Sequence, residues 1–460
     1  MSKKLPVVAI VGRANVGKSS LFNRMIGKQQ QVVAREAGTT RDAVYGQVEY
    51  GEHHFWLVDT AGLKDAEDEF EASIQDQIEE AAEAADVIIV VVEAQTQITE
   101  EDRRVAKKAL KSKKPVILVT NKVDQVQKAG SDTLWERLGI KTIVKTSASQ
   151  NRGTNIILDK VTEIIPITSA LPDDGIVRVA LLGRPNVGKS QLFNTLAKKQ
   201  QAIVANKAGT TRDVNRIRIK YETREFELLD TAGIRRPGRI EVGIEKFSVL
   251  RSLQAIEESD VCLLLMDANE LNTSLDQKIA GLIKEAGKGL IIVVSKWDSL
   301  DKDAYSRDEI APRIASTFKF APWAPLIFTS AVTGQNVAKL FDLALAIYKR
   351  RQQELKTTDL NKVLAQAVQS HPPAGLKGRH PKPRYIVQDA TSPPTFRLYG
   401  AHLEYLHWSW KRYLEKILRE TADFAGTPIK MYMMNNERKS GKTKKYLPKE
   451  TQNHGHTQGE

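Results

Sequence analysis

Two segments of this 460-residue chain set glycines, a lysine and a serine at the spacing needed to hold phosphate. They are Gly12-x-x-x-x-Gly17-Lys18-Ser19 and Gly183-x-x-x-x-Gly188-Lys189-Ser190, each placed after an apolar run and before helical spacing. The glycines permit a tight turn whose backbone N–H groups converge on an anion at a helix N-terminus, where the dipole favours negative charge. Lys18 and Lys189 offer a point charge to β- and γ-phosphates, and Ser19 and Ser190 a hydroxyl to Mg²⁺. Asn15, Val16, Ser20, Asn186, Val187 and Gln191 complete the two nucleotide-contacting loops. A glycine-rich turn without a ligand is the alternative; the strand before and helix after each loop weigh against it.

Gly38-Thr-Thr-Arg-Asp42 and Gly209-Thr-Thr-Arg-Asp213 follow these loops. A threonine there, Thr40 or Thr211, completes a Mg²⁺ shell only when γ-phosphate is present, which lets a loop sense the nucleotide. Taken alone, the pattern also fits a polar loop. Asp59-Thr60-Ala-Gly62 and Asp230-Thr231-Ala-Gly233 end apolar strands. The aspartates suit Mg²⁺ held through water, and the glycine N–H suits the γ-phosphate.

Asn121-Lys122-Val-Asp124 and Ser295-Lys296-Trp-Asp298 close two further strands. A carboxylate there accepts from guanine N1–H and its 2-amino group. Adenine offers no such pair of donors, and a buried carboxylate left unmatched costs about 1–3 kcal/mol. GTP is therefore the expected substrate. Ser295 stands where asparagine is usual, so base and loop contacts are expected to be weaker in the second copy. Ser147-Ala148 and Ser330-Ala331 are placed to back the base. Leu63 and Ile234 follow the Asp-Thr-Ala-Gly motifs where many GTPases have a water-orienting glutamine. Neither side chain can position water, so intrinsic hydrolysis is expected to be slow or to use another group.

These motifs recur at an offset of 171 residues from Gly12 to Gly183 and from Asp59 to Asp230, so a whole domain is duplicated. Apolar runs alternate with helical stretches in each copy, which predicts parallel βαβ units. In the first copy strands are expected near 7–11, 44–50, 55–59, 87–92, 116–121 and 143–145, and helices from Lys18 and near Glu71, Thr99 and Asn155. The expected fold class is α/β: GTPase domains at 1–165 and 176–351 joined by a linker at 166–175, then a small α+β domain at 352–435 and a basic, unstructured tail at 436–460. Within the small domain, Asp359 is expected to cap a helix to Gln369, 384–389 and 395–399 to be strands, 403–419 one helix, and 428–434 a last strand.

The net charge is +13, and from Lys349 onward 21 basic residues face 10 acidic ones. A localised basic excess suits a polyanion, whose neutralisation releases counterions; a solvated face is the plainer alternative. No apolar run is long enough to span a bilayer, and the first residues leave no room for a signal peptide. The single cysteine, Cys262, lies in an apolar strand and reads as a buried, reduced thiol. A cytoplasmic monomer that does not act on membranes is expected.

The motif order, the Gly-Thr-Thr-Arg-Asp segments, the hydrophobic Leu63 and Ile234 and the duplication resemble the EngA/Der family of bacterial GTPases, over nearly the whole chain. Glu245-Lys-Phe-Ser-Val, His371-Pro-Pro and Pro393-Pro-Thr-Phe396 add to the likeness. The resemblance implies two GTPase domains packed on a KH-like domain, acting in assembly of the large ribosomal subunit through its ribosomal RNA. Related GTPases with a hydrophobic residue after Asp-Thr-Ala-Gly use K⁺ bound partly by a P-loop asparagine, a position matched by Asn15 and Asn186; an asparagine that only shapes the turn is the alternative. The family pattern is departed from at Ala14, Gln191 and Ser295. A GTP-gated RNA-modifying or other RNA-associated enzyme is a second reading, against which no second catalytic cluster is visible.

KH domains clamp RNA with Gly-x-x-Gly between two helices. Here Gly375-Leu-Lys-Gly378 lies between a helix and a strand and is expected to be a turn. RNA contact is then expected through Lys377, Arg379, Lys382, Arg384, Lys411, Arg412 and the tail lysines. Trp408 and Trp410 are read as core first, and His454 and His456 as no metal site.

Overall fold

A computed structural model describes residues 3–27, 45–60, 81, 85–94, 97–125, 133–167, 169–170, 174–199, 215–230, 249–271, 273–300, 306–376 and 378–435. The first repeat runs β1 (Lys3–Lys4), β2 (Val7–Val11), α1 (Lys18–Gly27), β3 (Tyr45–Tyr50), β4 (His53–Asp59), β5 (Val87–Glu93), α2 (Glu100–Lys111), β6 (Val116–Asn121), α3 (Thr133–Glu136), β7 (Thr142–Lys145) and α4 (Thr154–Ile164). Strand order in the sheet is β3-β4-β2-β5-β6-β7. All neighbours are parallel except β3 and β4. Strand β2 is an unbroken run of valine, isoleucine and alanine, and β5 one of valine and isoleucine up to its terminal Glu93, because helices or other apolar surface cover both faces of the sheet.

The second repeat rebuilds this frame with β8 (Ser169–Ala170), β9 (Val177–Gly183), α5 (Lys189–Lys199), β10 (Asn215–Tyr221), β11 (Arg224–Asp230), α6 (Val249–Glu258), β12 (Val261–Asp267), α7 (Ser274–Glu285), β13 (Gly289–Ser295), α8 (Ser306–Thr317), β14 (Leu326–Phe328) and α9 (Lys339–Arg351). The order β10-β11-β9-β12-β13-β14 matches the first sheet strand for strand. Even the caps recur: Thr99 with Asp102 starts α2, and Thr273 with Asp276 starts α7, each as a reciprocal capping box. The C-terminal unit comprises α10 (Thr357–Ser370), β15 (Lys382–Ala390), β16 (Thr395–Ala401), α11 (Trp408–Thr421) and β17 (Lys430–Asn435), with both helices packed on a three-stranded sheet.

One face of each GTPase sheet has its own core, built in the first repeat from Val8, Ile10, Phe22, Met25 and Leu158 and in the second from Val179, Leu181, Phe193 and Phe341. The other faces merge. Trp56, Val58 and Ile88 belong to one apolar cluster with Leu253, Ile256 and Leu264, so the two repeats share a core. Strand β1 pairs antiparallel with β8, fastening the N-terminus to residues 169–170. The C-terminal unit joins the second repeat through backbone: Leu290 N donates to Gly426 O at 2.9 Å, and Gly426 N to Trp323 O at 2.7 Å. Buried Arg351, the last residue of the second repeat, bonds Gly287 O at 2.7 Å and reaches Thr427 Oγ1 of the C-terminal unit at 3.5 Å, both through Nη1.

Several local expectations change. The repeats are not purely parallel, because β3 and β10 join by tight antiparallel connections to β4 and β11. Asn336 has a left-handed φ of 56° and lies outside helix α9, which starts at Lys339. Helix α10 starts at Thr357 after Lys356 as N-cap, so Asp359 sits in the first turn and meets the dipole from inside the helix. The expected single helix over 403–419 is divided: Leu403–Tyr405 is a 3₁₀ turn, His407 is extended, and α11 starts at Trp408. Cys262 is fully buried in β12, where burial pushes its thiol up to about 12. The helix expected near Glu71 and the tail with His454 and His456 lie outside the described residues.

Candidate nucleotide-binding sites

Each phosphate loop leaves the C-terminal end of a central strand, β2 or β9, and enters a helix, α1 or α5. Close approach dictates its first glycine: a Cβ on Gly12 would lie 2.4 Å from Val91 O, and one on Gly183 2.5 Å from Leu265 O. Asn15 and Asn186 share φ of 63°, and Gly17 and Gly188 have φ of 93° and 92°, so the two loops follow one path. Lys18 Nζ donates to Gly12 O at 2.9 Å and Arg13 O at 2.7 Å. Lys189 Nζ makes the same bonds to Gly183 O at 3.0 Å and Arg184 O at 2.6 Å. Burial lowers the Lys18 pKa, opposed by Asp59. Both ammonium groups are thus held under the loop's own carbonyls.

Ser19 Oγ lies 2.6 Å from Asp59 Oδ2, bringing two hard oxygen ligands together where β4 ends beside the start of α1. That donor set fits Mg²⁺, which takes few protein ligands and fills its shell from water and phosphate. No cluster of three or more His, Cys, Asp or Glu able to hold a metal occurs among the described residues. Thr60 Oγ1 donates to Ile10 O at 2.8 Å and ties β4 to β2 behind the site. In the second repeat the Asp230 backbone ends β11 in register with Leu181, and Ser190 opens α5 in the same relation to its loop. Thr40, Gly62, Leu63, Thr211, Thr231, Gly233 and Ile234 lie outside the described residues.

Between β6 and α1, Asn121 works as a clasp. Its Nδ2 donates to Val16 O at 2.9 Å, while its Oδ1 accepts from Ala148 N at 3.1 Å and Thr146 Oγ1 at 3.2 Å. The base-backing loop, with Ser147 and Ala148, is thereby tied to the phosphate loop. Lys122 Nζ bonds Asn15 O at 2.9 Å and Glu93 Oε1 at 2.7 Å, and Arg13 reaches the other Glu93 oxygen at 3.0 Å. The Lys122 hydrogen bond holds the Glu93 carboxyl below its usual range. Asp124 Oδ1 is buried and has no hydrogen-bond partner among the described residues. An orphaned carboxylate oxygen beside the clasp is a ready acceptor for the donor edge of guanine.

The second site keeps this frame with one change. Lys296 Nζ bonds Asp267 Oδ2 at 2.7 Å, the counterpart of Lys122 and Glu93. Asp298 lines a cavity of about 130 Å³ together with Gly188, Gln191, Ser295 and Ala331. Ser295 Oγ meets Val187 O at 2.6 Å and Met266 O at 3.0 Å, replacing only the phosphate-loop half of the clasp. Ser330 Oγ caps its own turn by accepting from Thr333 N at 3.0 Å.

Glu93, Asp267 and Arg13 are the structural partners that motif reading did not pick out. Their signal was a charged residue ending an otherwise apolar strand, or following the loop's first glycine.

In the C-terminal unit Trp410 is core and donates from Nε1 to His371 O at 2.8 Å. Trp408 is instead half exposed, with the Arg412 guanidinium 4.7 Å over its ring. Gly375 stands in a tight turn: a Cβ there would lie 1.8 Å from Arg379 O. Lys382 and Arg384 are on β15 and Lys411 on α11; Lys377 lies outside the described residues.

A family model described as 50S ribosome-binding GTPase matches residues 7–122 and again 178–296. A second, described as the C-terminal KH-domain-like region of EngA bacterial GTPase enzymes, matches 354–433. GTPase Der of Chloroflexus aggregans is 43% identical over 443 residues, covering 94% of this chain and 99% of that protein. GTPase Der proteins of Herpetosiphon aurantiacus and Thermomicrobium roseum are each 40% identical, covering 94% of this chain and 97% of their own length. With two phosphate loops on matching sheets and these relatives over nearly its whole length, the chain belongs to the EngA/Der family of tandem GTPases and hydrolyses GTP.

Proposed function

We propose that both sites bind GTP with Mg²⁺ and that their turnover times docking to, and release from, the large ribosomal subunit during its assembly. The observation carrying the nucleotide assignment is the orphaned Asp124 Oδ1 beside a phosphate loop that Asn121 fastens to the base-backing loop. Lys18 and Lys189 bind the β- and γ-phosphates, and Asp124 and Asp298 read guanine. Ser19 with Asp59, and Ser190 with Asp230, hold the metal, joined by Thr40 and Thr211 when γ-phosphate is present. Mg²⁺ neutralises charge on the phosphate oxygens. Two of the Lys18 ammonium protons are held by Gly12 O and Arg13 O, which fixes the direction of the third. Gly62 and Gly233 offer backbone N–H groups to the γ-phosphate, and Asn15 and Asn186 a side-chain oxygen to K⁺.

The partner assignment is supported by the basic C-terminal part, with 21 Lys and Arg against 10 Asp and Glu from Lys349 on, and by the 50S ribosome-binding description of the matching family model. No described helix is long and apolar enough to cross a membrane, and a cytoplasmic monomer fits the proposed role. Domain limits at 165, 176, 351 and 435 fit the ends of α4, β9, α9 and β17. The test is sedimentation of the chain through a sucrose gradient with ribosomal subunits and GTP, GDP or a non-hydrolysable analogue. Co-migration with the large subunit in one nucleotide state is expected. Absence of co-migration in every state would overturn the partner assignment.

A further inference from the structure

The two guanine pockets differ at the position of Asn121 and Ser295, and that difference leaves a space. Over Gly17 the pocket is full: an added Cβ would lie 2.3 Å from Asn121 Nδ2. Over Gly188 no atom of the described residues, its chain neighbours apart, lies within 4 Å of the same point. Ser295 stops short of it, and the space opens into the cavity of about 130 Å³ that Asp298 also lines.

Hydrogen-bond bookkeeping shows what the missing amide would have supplied. In the first site the Asn121 carbonyl oxygen is used by Thr146 Oγ1 and Ala148 N, and one amide proton by Val16 O. The second amide proton has no acceptor among the described residues. Guanine held by Asp124 through N1–H and its 2-amino group still carries two acceptors, O6 and N7, on the adjoining edge. A side-chain donor three residues before the aspartate is placed to serve that edge. In the second site the one hydroxyl proton of Ser295 is taken by Val187 O or Met266 O, which lie 2.6 Å and 3.0 Å away. Backbone bonds still position the base-backing loop: Trp297 N donates to Thr329 O at 3.0 Å, as Val123 N does to Thr146 O at 3.1 Å.

We infer that the second site reads guanine through Asp298 without the N7-edge donor that Asn121 supplies in the first, and so accepts guanine nucleotides altered at N7 that the first site selects against. Ser295 is then a specificity-determining residue that makes the two sites unequal in substrate range. The inference rests on the assignment of Asp124 and Asp298 as guanine readers.

The test uses the full chain with one reader removed at a time, Asp298→Asn to observe the first site and Asp124→Asn to observe the second. Displacement of a fluorescent GDP by GTP, 7-deaza-GTP and ATP is measured for each. 7-Deaza-GTP has a C–H in place of N7 and offers no acceptor there. The first site is expected to bind it about 5- to 10-fold more weakly than GTP, the loss of one hydrogen bond. The second is expected to bind both within about twofold, and adding Ser295→Asn to Asp124→Asn should raise its discrimination to that of the first site. Equal discrimination at the two sites, as a water in the cavity would give, overturns the inference, and so does a Ser295→Asn variant that discriminates no better. Loss of preference for GTP over ATP at the unaltered site would instead overturn the reader assignment.

Discussion

The indole Nε1 of Trp56 in β4 donates to Glu257 Oε1 in α6 at 2.6 Å, and both residues are buried. The other carboxylate oxygen accepts from Leu5 N at 3.1 Å, and the Glu257 backbone oxygen accepts from Lys288 Nζ at 2.8 Å. One residue of the second repeat therefore meets the first repeat twice and helps hold a buried lysine. Strand β4 also ends in Asp59, so the same element touches Ser19 at the start of α1 and the second repeat.

Glu257→Ala leaves the Trp56 and Leu5 donors unmatched inside a shared core. A loss of about 1–3 kcal/mol is expected for each buried group so stranded, and Lys288 loses the nearest opposing charge. Denaturant unfolding followed by tryptophan fluorescence should show the midpoint falling. A midpoint equal to that of the parent chain would show that the repeats do not depend on this contact.

Asp124→Asn replaces an acceptor pair by a group that also carries donors. Guanine then loses about 1.5–3 kcal/mol for each of two charge-assisted bonds, so GTP affinity at the first site should drop by roughly a hundredfold or more. Xanthine, with a carbonyl in place of the 2-amino group, matches the new amide, so xanthosine triphosphate should bind better than GTP. Titration in a Lys189→Ala background, whose second site lacks its phosphate-binding ammonium, isolates that site. Undiminished GTP affinity there would remove Asp124 from the base contact.

If Asn15 and Asn186 bind K⁺, hydrolysis should run roughly tenfold or more faster in K⁺ than in Na⁺, because a fixed cation stabilises charge developing on phosphate. Both asparagines have φ of 63°, so Asn→Gly preserves the turn and removes only the side chain. The double variant Asn15→Gly, Asn186→Gly should lose the K⁺ advantage. Equal rates in the two salts for the parent chain would dismiss the cation.

Trp410 and Trp408 lie two residues apart yet should behave oppositely. Trp410→Ala removes a core ring and its bond to His371 O, at a cost of about 3–5 kcal/mol. Trp408→Ala gives up only a half-exposed ring with a cation–π contact, worth about 0.5–1 kcal/mol. Thermal unfolding of the two variants separates them, and similar losses would contradict the burial seen here.

Much of the site was legible because its parts are short motifs whose chemistry is local. A turn that cradles phosphate needs its glycines, lysine and serine within eight consecutive residues, 12–19 and 183–190, and an apolar run before each identifies the strand that presents it. The duplication was plain for the same reason. Helix limits in the C-terminal unit were less so: Asp359 resembles a cap by residue type, and the 403–419 run holds helical spacing across a break where Leu406 and His407 are extended.

The sequence by itself determined two phosphate loops, two base-reading strand ends, two repeats of one α/β frame and a basic C-terminal part. Only the tertiary structure decided that Asn121 spans Val16 and Ala148, that Ser295 leaves the place over Gly188 open, and that Trp56 seats on Glu257. The physical reason is distance along the chain. Asn121 lies 105 residues from Val16 and Trp56 lies 201 from Glu257, so no residue pattern near either partner records the meeting. Closing the sheets creates it.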